Sequence, residues 1–332
     1  MDQCGHTHDR CSGNTITDGG TGTVAVAITS GNTTFSSKNT YTGGTTVSGG
    51  KLTLGASDAL ADTGALTVSG GTFDLGTFSE TVGALTLSSG TISGTGALTA
   101  SSLDLRSGTI AVDLDGTVNL VKTTSGTLTL SGTPAYVGST SIAGGKLLFT
   151  NKVVGHGGGS TGLTVAAGAT LASTGGETTF LMAPNTDVVI DGTLSPGDTT
   201  IHASFDFSLS GTAKLRFNPG STLALNPGAQ DYVSFGLNGD WLAGSGNPTL
   251  ALYGPIDYAQ SFMIFFGATT PDFAFAGITG YDNTNYAADV SYDGGNHYYL
   301  SFTSTPEPGT AVSMLLGSAM LAGLGRRRGS AI

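Results

Sequence analysis

The first residues whose types could do chemistry stand at the start of the chain. Two cysteines, two histidines and one aspartate lie close together there, as Cys4, His6, His8, Asp9 and Cys11. Thiolate, imidazole and carboxylate groups are the ligands that Zn²⁺ takes in proteins. The spacing matches no standard zinc finger, and a disulfide or a disordered start also explains the cluster. We therefore expect no metal site here.

A second candidate is a glycine-rich segment with one histidine and one serine. Residues 156–162 read HGGGSTG and combine two strings found in esterases, an oxyanion motif from His156 and a nucleophile elbow around Ser160. In a hydrolase the two strings come from separate loops, and the serine lies on a strand–turn–helix. Here they overlap and no helical pattern follows. The segment is predicted to be a loop between strands.

Two aspartates, Asp113 and Asp115, alternate along a predicted strand, so both lie on one face of it. Paired carboxylates serve in acid–base catalysis or in calcium binding. A calcium loop needs further oxygen ligands at set spacings, which this segment lacks. Arg106 and Lys122 lie near in the sequence but form no convincing cluster with these acids. We predict solvated strand residues, no catalytic residue and no cofactor.

The composition limits both the fold and the partners. Glycine contributes 54 of 332 residues and charged residues only 11 %, against averages of about 7 % and about 25 %. Thr and Ser are abundant, and apolar residues recur regularly, which is typical of many short strands separated by glycine turns. The net charge of −11 excludes binding of nucleic acid through its phosphates, because that binding depends on Lys and Arg.

The elements that would position any site are organised by a long internal repeat. Residues 31–54 and 126–149 align without a gap at an offset of 95 residues, and Tyr41 aligns with Tyr136. A repeat of this kind indicates a stacked architecture. The coinciding turn positions are Gly43, Gly49 and Gly50 in the first copy and Gly138, Gly144 and Gly145 in the second.

Between and after the two copies, short strands alternate with turns of Gly, Ser or Ala. Apolar residues recur at every second position, as in Leu66 and Val68, with Thr, Ser or Asp between them. Such a strand cannot bury its apolar face alone, so we predict an all-β fold, a right-handed parallel β-helix or solenoid. A β-sandwich also uses many short strands and is the alternative. The repeat and the shortness of the strands favour the solenoid.

Composition divides the chain into four predicted regions. Residues 1–20 are a poorly ordered or misassigned N-terminus, and residues 21–193 form the β-helical repeat region. Most aromatic residues follow Ser195, which predicts wider core spaces in residues 194–304. We expect this aromatic-rich β section to cap the open end of the solenoid. Residues 305–332 form a tail with a single hydrophobic helix.

The tail has three parts in a fixed order. They are the motif Pro306, Glu307 and Pro308, the uncharged apolar residues 311–324, and the basic cluster Arg326, Arg327 and Arg328. The two prolines preclude regular structure. As a helix, residues 311–324 span about 21 Å, and residues 309–325 reach the lower limit for crossing a bilayer. The arginines would stay on the cytoplasmic side.

This tail closely resembles the PEP-CTERM sorting signal. The resemblance implies a partner, a membrane-embedded processing enzyme of the exosortase type, which removes the tail near the Pro-Glu-Pro motif. It also implies that the chain is anchored in the cytoplasmic membrane through residues 311–324 before processing. The host would be a Gram-negative bacterium whose sorting system accompanies exopolysaccharide production, so exopolysaccharide is an expected partner.

A second resemblance concerns the repeat itself. Residues 39–54, NTYTGGTTVSGGKLTL, resemble the autotransporter-associated β-strand repeat of parallel β-helical passengers, and residues 135–149 are a looser match. Residues 15–28 look like the strand that usually precedes such a repeat. The first 23 residues carry no apolar signal-peptide core. Together these observations predict a natural start further upstream.

These features predict an exported structural or adhesive protein of the cell surface or extracellular matrix, and not an enzyme. Two alternatives stay open. The first is a carbohydrate-binding or polysaccharide-degrading β-helix protein, and the second is a passive surface-layer component. A groove with three converging acids, or exposed aromatic residues spaced for sugar stacking, would favour the first alternative.

Overall fold

A computed structural model describes residues 10–11, 15–20, 22–150, 153–154, 160–197, 203–239, 242–244, 247–268 and 274–305. Within them the regular structure is β-strand, apart from one 3₁₀ turn at Pro227–Ala229. A long sheet pairs its strands in parallel, and a second sheet of seven strands begins at Val153. The all-β prediction is confirmed. The long parallel sheet is consistent with a β-helix, whereas a sandwich pairs antiparallel strands.

The first part of the chain holds ten strands. They are β1 (Arg10–Cys11), β2 (Val26–Ile28), β3 (Asn32–Phe35), β4 (Thr45–Val47), β5 (Lys51–Leu54), β6 (Leu66–Asp74), β7 (Glu80–Ser93), β8 (Ala97–Leu105), β9 (Gly108–Ile110) and β10 (Asp113–Asp115). Strands β6, β7 and β8 are longer than the others because each crosses a corner of its coil and pairs in more than one ladder.

The rest of the described chain holds twenty strands. The first ten are β11 (Leu120–Lys122), β12 (Thr127–Leu130), β13 (Thr140–Ile142), β14 (Lys146–Phe149), β15 (Val153–Val154), β16 (Leu163–Val165), β17 (Thr170–Ser173), β18 (Gly176–Leu181), β19 (Val188–Ile190) and β20 (Thr193–Ser195). The last ten are β21 (Ala203–Ser208), β22 (Leu215–Phe217), β23 (Thr222–Leu225), β24 (Tyr232–Gly239), β25 (Leu242–Gly244), β26 (Thr249–Leu252), β27 (Phe262–Ala268), β28 (Gly277–Thr279), β29 (Tyr286–Tyr292) and β30 (His297–Ser304).

The parallel ladders place equivalent residues of successive coils directly above one another. One inward column consists of Ile28, Val47, Val68, Leu87, Leu105, Lys122, Ile142, Val165, Ile190 and Phe217. All of these residues are buried, and all except Lys122 are apolar. A buried Leu or Val contributes roughly 1.5–3 kcal/mol. A strand of three residues obtains this burial only by stacking on its neighbours.

The opposite face of these short strands carries hydroxyl groups. Thr72, Thr91, Thr109 and Thr129 are register partners on four successive coils, and all four are partly exposed. β-branched side chains fit the pleated surface of a strand. Ladders of threonine therefore present polar groups to water on a surface that has few charges.

The coils widen along the chain. Register partners are 17 residues apart between Leu105 and Lys122 but 27 apart between Ile190 and Phe217. The additional residues form the second sheet, in which β15, β18, β21, β24 and β27 pair in parallel. The stack is continuous at residue 194, because β20 pairs with β17 before it and β23 after it.

Phenylalanine fills the wider interior. The ring of Phe180 lies edge-on to Phe149 with centroids 5.4 Å apart, and it stacks on Phe207 at the same distance. Phe205 contacts both Phe180 and Phe207, at 5.7 Å and 6.0 Å. Because aromatic rings are large, a few of them fill a broad core. The content of aromatic residues therefore rises where the coils are wider.

The second sheet ends in antiparallel strands. β30 pairs antiparallel with β27 on one side and with β29 on the other. Asp293 shapes the β29–β30 turn, since its Oδ1 accepts hydrogen bonds from the backbone N–H groups of Gly295 (2.8 Å) and Asn296 (3.1 Å). Gly294 in this turn has a φ of +78°, a conformation that glycine adopts without strain.

Residues 306–332, which include the predicted apolar helix, lie outside the described residues. In the part of the chain that the structure describes, no helix has the length and apolar character needed to cross a membrane.

Candidate functional site

The cysteine–histidine cluster lies almost wholly outside the described residues. Of its five members the structure describes only Cys11, in β1, where it is the register partner of Phe35. Across the described ranges, no three His, Cys, Asp or Glu residues come together as a metal site.

The serine of the esterase-like string is buried among backbone groups of neighbouring coils. Ser160 is buried, and its hydroxyl lies 3.2 Å from the backbone carbonyl oxygens of Gly138 and Gly162, which share its single proton. Its backbone N–H donates to the carbonyl of Leu181. A nucleophile needs an exposed hydroxyl beside a base, and Ser160 instead links neighbouring coils. His156 and residues 157–159 lie outside the described residues.

The paired aspartates form no ion pair with a basic residue in the part of the chain that the structure describes. Asp113 and Asp115 flank the buried Leu114 on β10, and Asp113 Oδ1 accepts a hydrogen bond from the backbone N–H of Thr133 at 2.9 Å. Arg106 pairs with its own neighbour Asp104 at 2.7 Å, at the surface. The carboxylate of Asp113 therefore connects two coils.

The repeat-turn glycines lie where neighbouring coils approach most closely. Gly50 and Gly145 occupy equivalent turns with φ of +63° and +66°. A Cβ at Gly43 would lie 2.6 Å from the carbonyl oxygen of Val24, and one at Gly144 would lie 2.9 Å from that of Thr123. Gly49 and Gly138 abut backbone carbonyls in the same way. At all six glycine positions a side chain would collide with the backbone of the preceding coil.

The two repeat copies contain the same buried polar contact. The hydroxyl of Tyr41 bonds to Thr45 Oγ1, and that of Tyr136 bonds to Thr140 Oγ1 at 2.7 Å. Burial raises the pKa of Tyr41 to about 12 and raises the pKa of Tyr136 further. Each tyrosine is therefore neutral, and either hydroxyl of each pair can donate the hydrogen bond.

A buried carboxyl group, Glu80, was not predicted. It is 1 % exposed. Its Oε2 accepts from the backbone N–H groups of Ala59 (2.8 Å) and Leu60 (3.2 Å), and its Oε1 accepts from Thr81 (3.2 Å). Burial raises the pKa of Glu80 to about 7, although the three N–H donors oppose this. Alternation with Val82 in the sequence was the available signal that Glu80 faces inward.

A buried amine, Lys122, was not predicted either. It occupies a place in the apolar column between Leu105 and Ile142 and is 0 % exposed. Its Nζ donates to the backbone carbonyls of Thr124 and Gly144, and burial lowers its pKa. Carbonyl groups at the coil corner thus solvate an ammonium group in the interior.

Two carboxyl groups lie close together on the second sheet. Glu177 and Asp206 lie on adjacent strands, where Glu177 is the register partner of Ser204 and Asp206 that of Thr179. Burial, together with the nearby Glu177, raises the pKa of Asp206. The Oγ of Ser204 and the Oδ1 of Asp206 are buried without a hydrogen-bond partner. Two acids can share a proton, but the pair lacks the third ligand that a metal site would need.

A groove formed by aromatic side chains lies at the end of the second sheet. It is open, has a volume of about 580 Å³, and is lined by residues 256–259 from the β26–β27 loop and by Tyr286, Phe302 and Ser304. The rings of Tyr258 and Tyr286 stack with centroids 4.0 Å apart and planes 10° apart. Phe302 meets Tyr258 edge-on at 4.9 Å. Both tyrosines are partly exposed.

Polar groups fix the rim of this groove. The hydroxyl of Tyr258 accepts a hydrogen bond from the backbone N–H of Asp282 at 2.8 Å. The carboxylate of Asp257 accepts from the side chain of Gln260 at 2.6 Å. A hydrogen bond from Asn285 lowers the pKa of Asp282, so Asp282 is charged at neutral pH. The described residues that line the groove include no Lys or Arg.

The sorting motif Pro306, Glu307 and Pro308 and the cluster Arg326, Arg327 and Arg328 lie outside the described residues. They stay predictions from the sequence.

Comparison with known proteins supports the repeat. Residues 30–54 and 120–149 match the Passenger-associated-transport-repeat family, the autotransporter-associated repeat that the sequence predicts. The two matches cover well under half of the chain. No curated protein and no solved structure matches it. The repeat, together with the parallel sheet, indicates a surface-exposed β-helix protein similar to exported passengers.

Proposed function

We propose that this chain is an exported structural or adhesive rod of the cell surface or extracellular matrix. One observation carries the proposal: both matched repeats fold into consecutive strands of a single parallel stack. In a stack of this kind each coil pairs with the coils on either side of it, and the shared core is continuous, so the coils form a rod. Its hydroxyl-bearing outer face is suited to contact with water and with hydroxyl-rich polymers.

The proposed route to the surface is the tail. The chain is held in the cytoplasmic membrane through residues 311–324, and an exosortase-type enzyme then removes the tail near Pro306. This step follows from the resemblance of residues 306–328 to a sorting signal.

The test is fractionation of cells with and without the processing enzyme, with mass spectrometry of the mature C-terminus. We expect an end near Pro306 in the extracellular fraction, and an intact membrane-bound tail without the enzyme. Replacing Pro306, Glu307 and Pro308 together by Ala should retain the chain in the membrane, whereas Ser330→Ala, a change elsewhere in the tail, should not. An intact tail in both strains would overturn the sorting proposal.

The rod itself has a separate test. We expect negative-stain electron microscopy and X-ray scattering of the purified protein to show an elongated particle, and immunogold labelling to place it outside the cell. Labelling confined to the cytoplasm would contradict the surface role whatever the fate of the tail.

A further inference from the structure

We propose that the aromatic groove, formed by residues 256–259, Tyr286, Phe302 and Ser304, binds a segment of a neutral polysaccharide. The inference rests on the proposed function, because it names the ligand class for one site on an exported rod. The carrying observation is the combination of an open groove, partly exposed tyrosine rings and acidic rim groups.

The rings supply the apolar half of the recognition. A sugar ring presents C–H groups on its faces, and these faces pack against aromatic planes. Tyr258 and Tyr286 are partly exposed and stack on each other, so each offers a ligand the ring surface that the other does not cover. A ligand that covers the remaining exposed part of these rings removes apolar area from water, which favours binding.

The rim supplies the polar half. Sugar hydroxyl groups need hydrogen-bond acceptors, and the groove offers the carboxylate of Asp257 and the hydroxyl of Ser304. Asp282 adds a second negative charge beside the hydroxyl of Tyr258. Two carboxylates without a lining cation repel an anionic polymer. The charge of the groove therefore favours a neutral chain over an acidic one.

The shape fits a polymer rather than a small metabolite. The volume of about 580 Å³ lies within the range of about 300–1,000 Å³ typical of ligand sites. The groove is open instead of enclosed, which suits a ligand that is larger than the groove itself. The stacked rings and the Tyr258–Asp282 hydrogen bond hold the surface in place before binding, which lowers the entropic cost.

The experiment is affinity electrophoresis of the full chain through gels that contain laminarin or dextran as neutral glucans, or alginate as an anionic polymer. The variants are Tyr286→Ala, which removes half of the stacked pair, and Tyr286→Phe, which keeps the ring. The matched control is Tyr299→Ala, a partly exposed tyrosine on the opposite face of β30 from Phe302. Thermal unfolding verifies that each variant is folded.

We expect retardation by at least one neutral glucan and none by alginate. Tyr286→Ala should weaken the binding about tenfold or more, equivalent to about 1.4 kcal/mol, while Tyr286→Phe and Tyr299→Ala stay within about threefold of the parent. Retardation by alginate alone, or equal binding by Tyr286→Ala, would overturn the proposal. So would self-association of the parent that Tyr286→Ala abolishes, because a second copy would then occupy the groove.

Failure here is distinguishable from failure of the proposed function. Tyr286→Ala should be exported and processed like the parent, since the groove lies outside the tail. If the protein is exported normally but binds no glucan, only the proposed ligand class is wrong. If the protein stays in the cytoplasm, the proposed function is wrong.

Discussion

The two repeat copies have the same strands but different buried charges beside them. Strands β3, β4 and β5 begin and end 95 residues before β12, β13 and β14, and each copy contains the same Tyr–Thr hydrogen bond. After the first copy lies the buried acid Glu80, which bonds to Ala59 and Leu60, whereas directly before the second copy lies the buried amine Lys122, the register partner of Ile142.

The comparison shows what a coil requires and what it tolerates. The turn glycines and the Tyr–Thr pair recur in both copies, because the close spacing of the coils and the shape of their corners exclude other residues at these positions. The ionisable groups differ, because backbone groups at a coil corner can solvate either sign: N–H groups hold Glu80, and carbonyl groups hold Lys122. Burial without such partners would cost several kcal/mol.

The largest expected effect comes from replacing the turn glycines that both repeat copies share. Gly50→Ala and Gly145→Ala force a side chain into positive φ and against the carbonyls of Gly31 and Thr124. We expect each variant to lose about 3 kcal/mol or more in free energy of unfolding, as measured by urea denaturation.

A matched glycine separates backbone strain from the clash. Gly168 has a φ of +78° but open space around its Cβ position, so Gly168→Ala should lose only about 1 kcal/mol. Equal losses at Gly50, Gly145 and Gly168 would show that coil contact at the turns is unimportant.

The second-largest expected effect is the change in protein stability with pH that is caused by Glu80. The folded-state pKa of about 7 lies above the ordinary value of 4.5, so the folded state keeps its proton after the unfolded state has lost it. The stabilisation is complete below pH 4.5 and is lost as pH rises through 7. Relative to Glu80→Gln, the parent should lose on the order of 2–3 kcal/mol of unfolding free energy over this range.

Urea titrations of the parent and of Glu80→Gln at a series of pH values provide the measurement. Parallel stability curves for the two proteins would contradict the raised pKa of Glu80. Asp113→Asn, which removes the charge of an exposed carboxyl group, serves as the control for a change in net charge without burial.

Lys122 should give a pH dependence of stability that is opposite in sign to that of Glu80. Burial lowers its pKa, so the unfolded state binds the proton more tightly and stability rises with pH toward the ordinary lysine range. Lys122→Met continues the apolar column and should gain about 1–2 kcal/mol at neutral pH, with the alkaline rise removed. Lys146→Met, at a partly exposed lysine, should change stability by less than about 0.5 kcal/mol. A less stable Lys122→Met would mean that the carbonyl contacts outweigh burial of the charge.

The smallest expected effect comes from the Tyr–Thr hydrogen bond that the two repeat copies share. Tyr41→Phe and Tyr136→Phe each leave a buried threonine hydroxyl without its partner and should lose about 1 kcal/mol. Adding Thr45→Val or Thr140→Val should recover part of that loss, because both polar groups are then removed. Calorimetric unfolding of the single and double variants gives the coupling energy, and zero coupling in either copy would show that its hydrogen bond is not a stabilising contact.

Much of the fold could be predicted from the sequence because its signals are local. Period-two alternation at Leu66 and Val68 set the inward face, and the 95-residue offset set the stacking and the turn glycines. The parallel sheet confirms the all-β prediction and is consistent with the solenoid. The handedness of the solenoid, the cap and the tail helix stay predictions.

The candidate site could not be predicted in this way. The tyrosines of the groove come from a loop and from a strand 28 residues later, and only the β26–β27 loop and the β29–β30 hairpin bring Tyr258 onto Tyr286. In the sequence, the esterase-like string resembles a catalytic motif. In the structure, however, the hydroxyl of Ser160 contacts backbone carbonyl groups of two coils.

The sequence by itself determined the short strands, the glycine corners and the acidic, hydroxyl-rich surface, because each depends on residues within one coil. Only the tertiary structure decided which ionisable groups are buried. The burial of Glu80 and Lys122 depends on the coils above and below them, and so does the solvation of both groups by backbone partners up to 22 residues away.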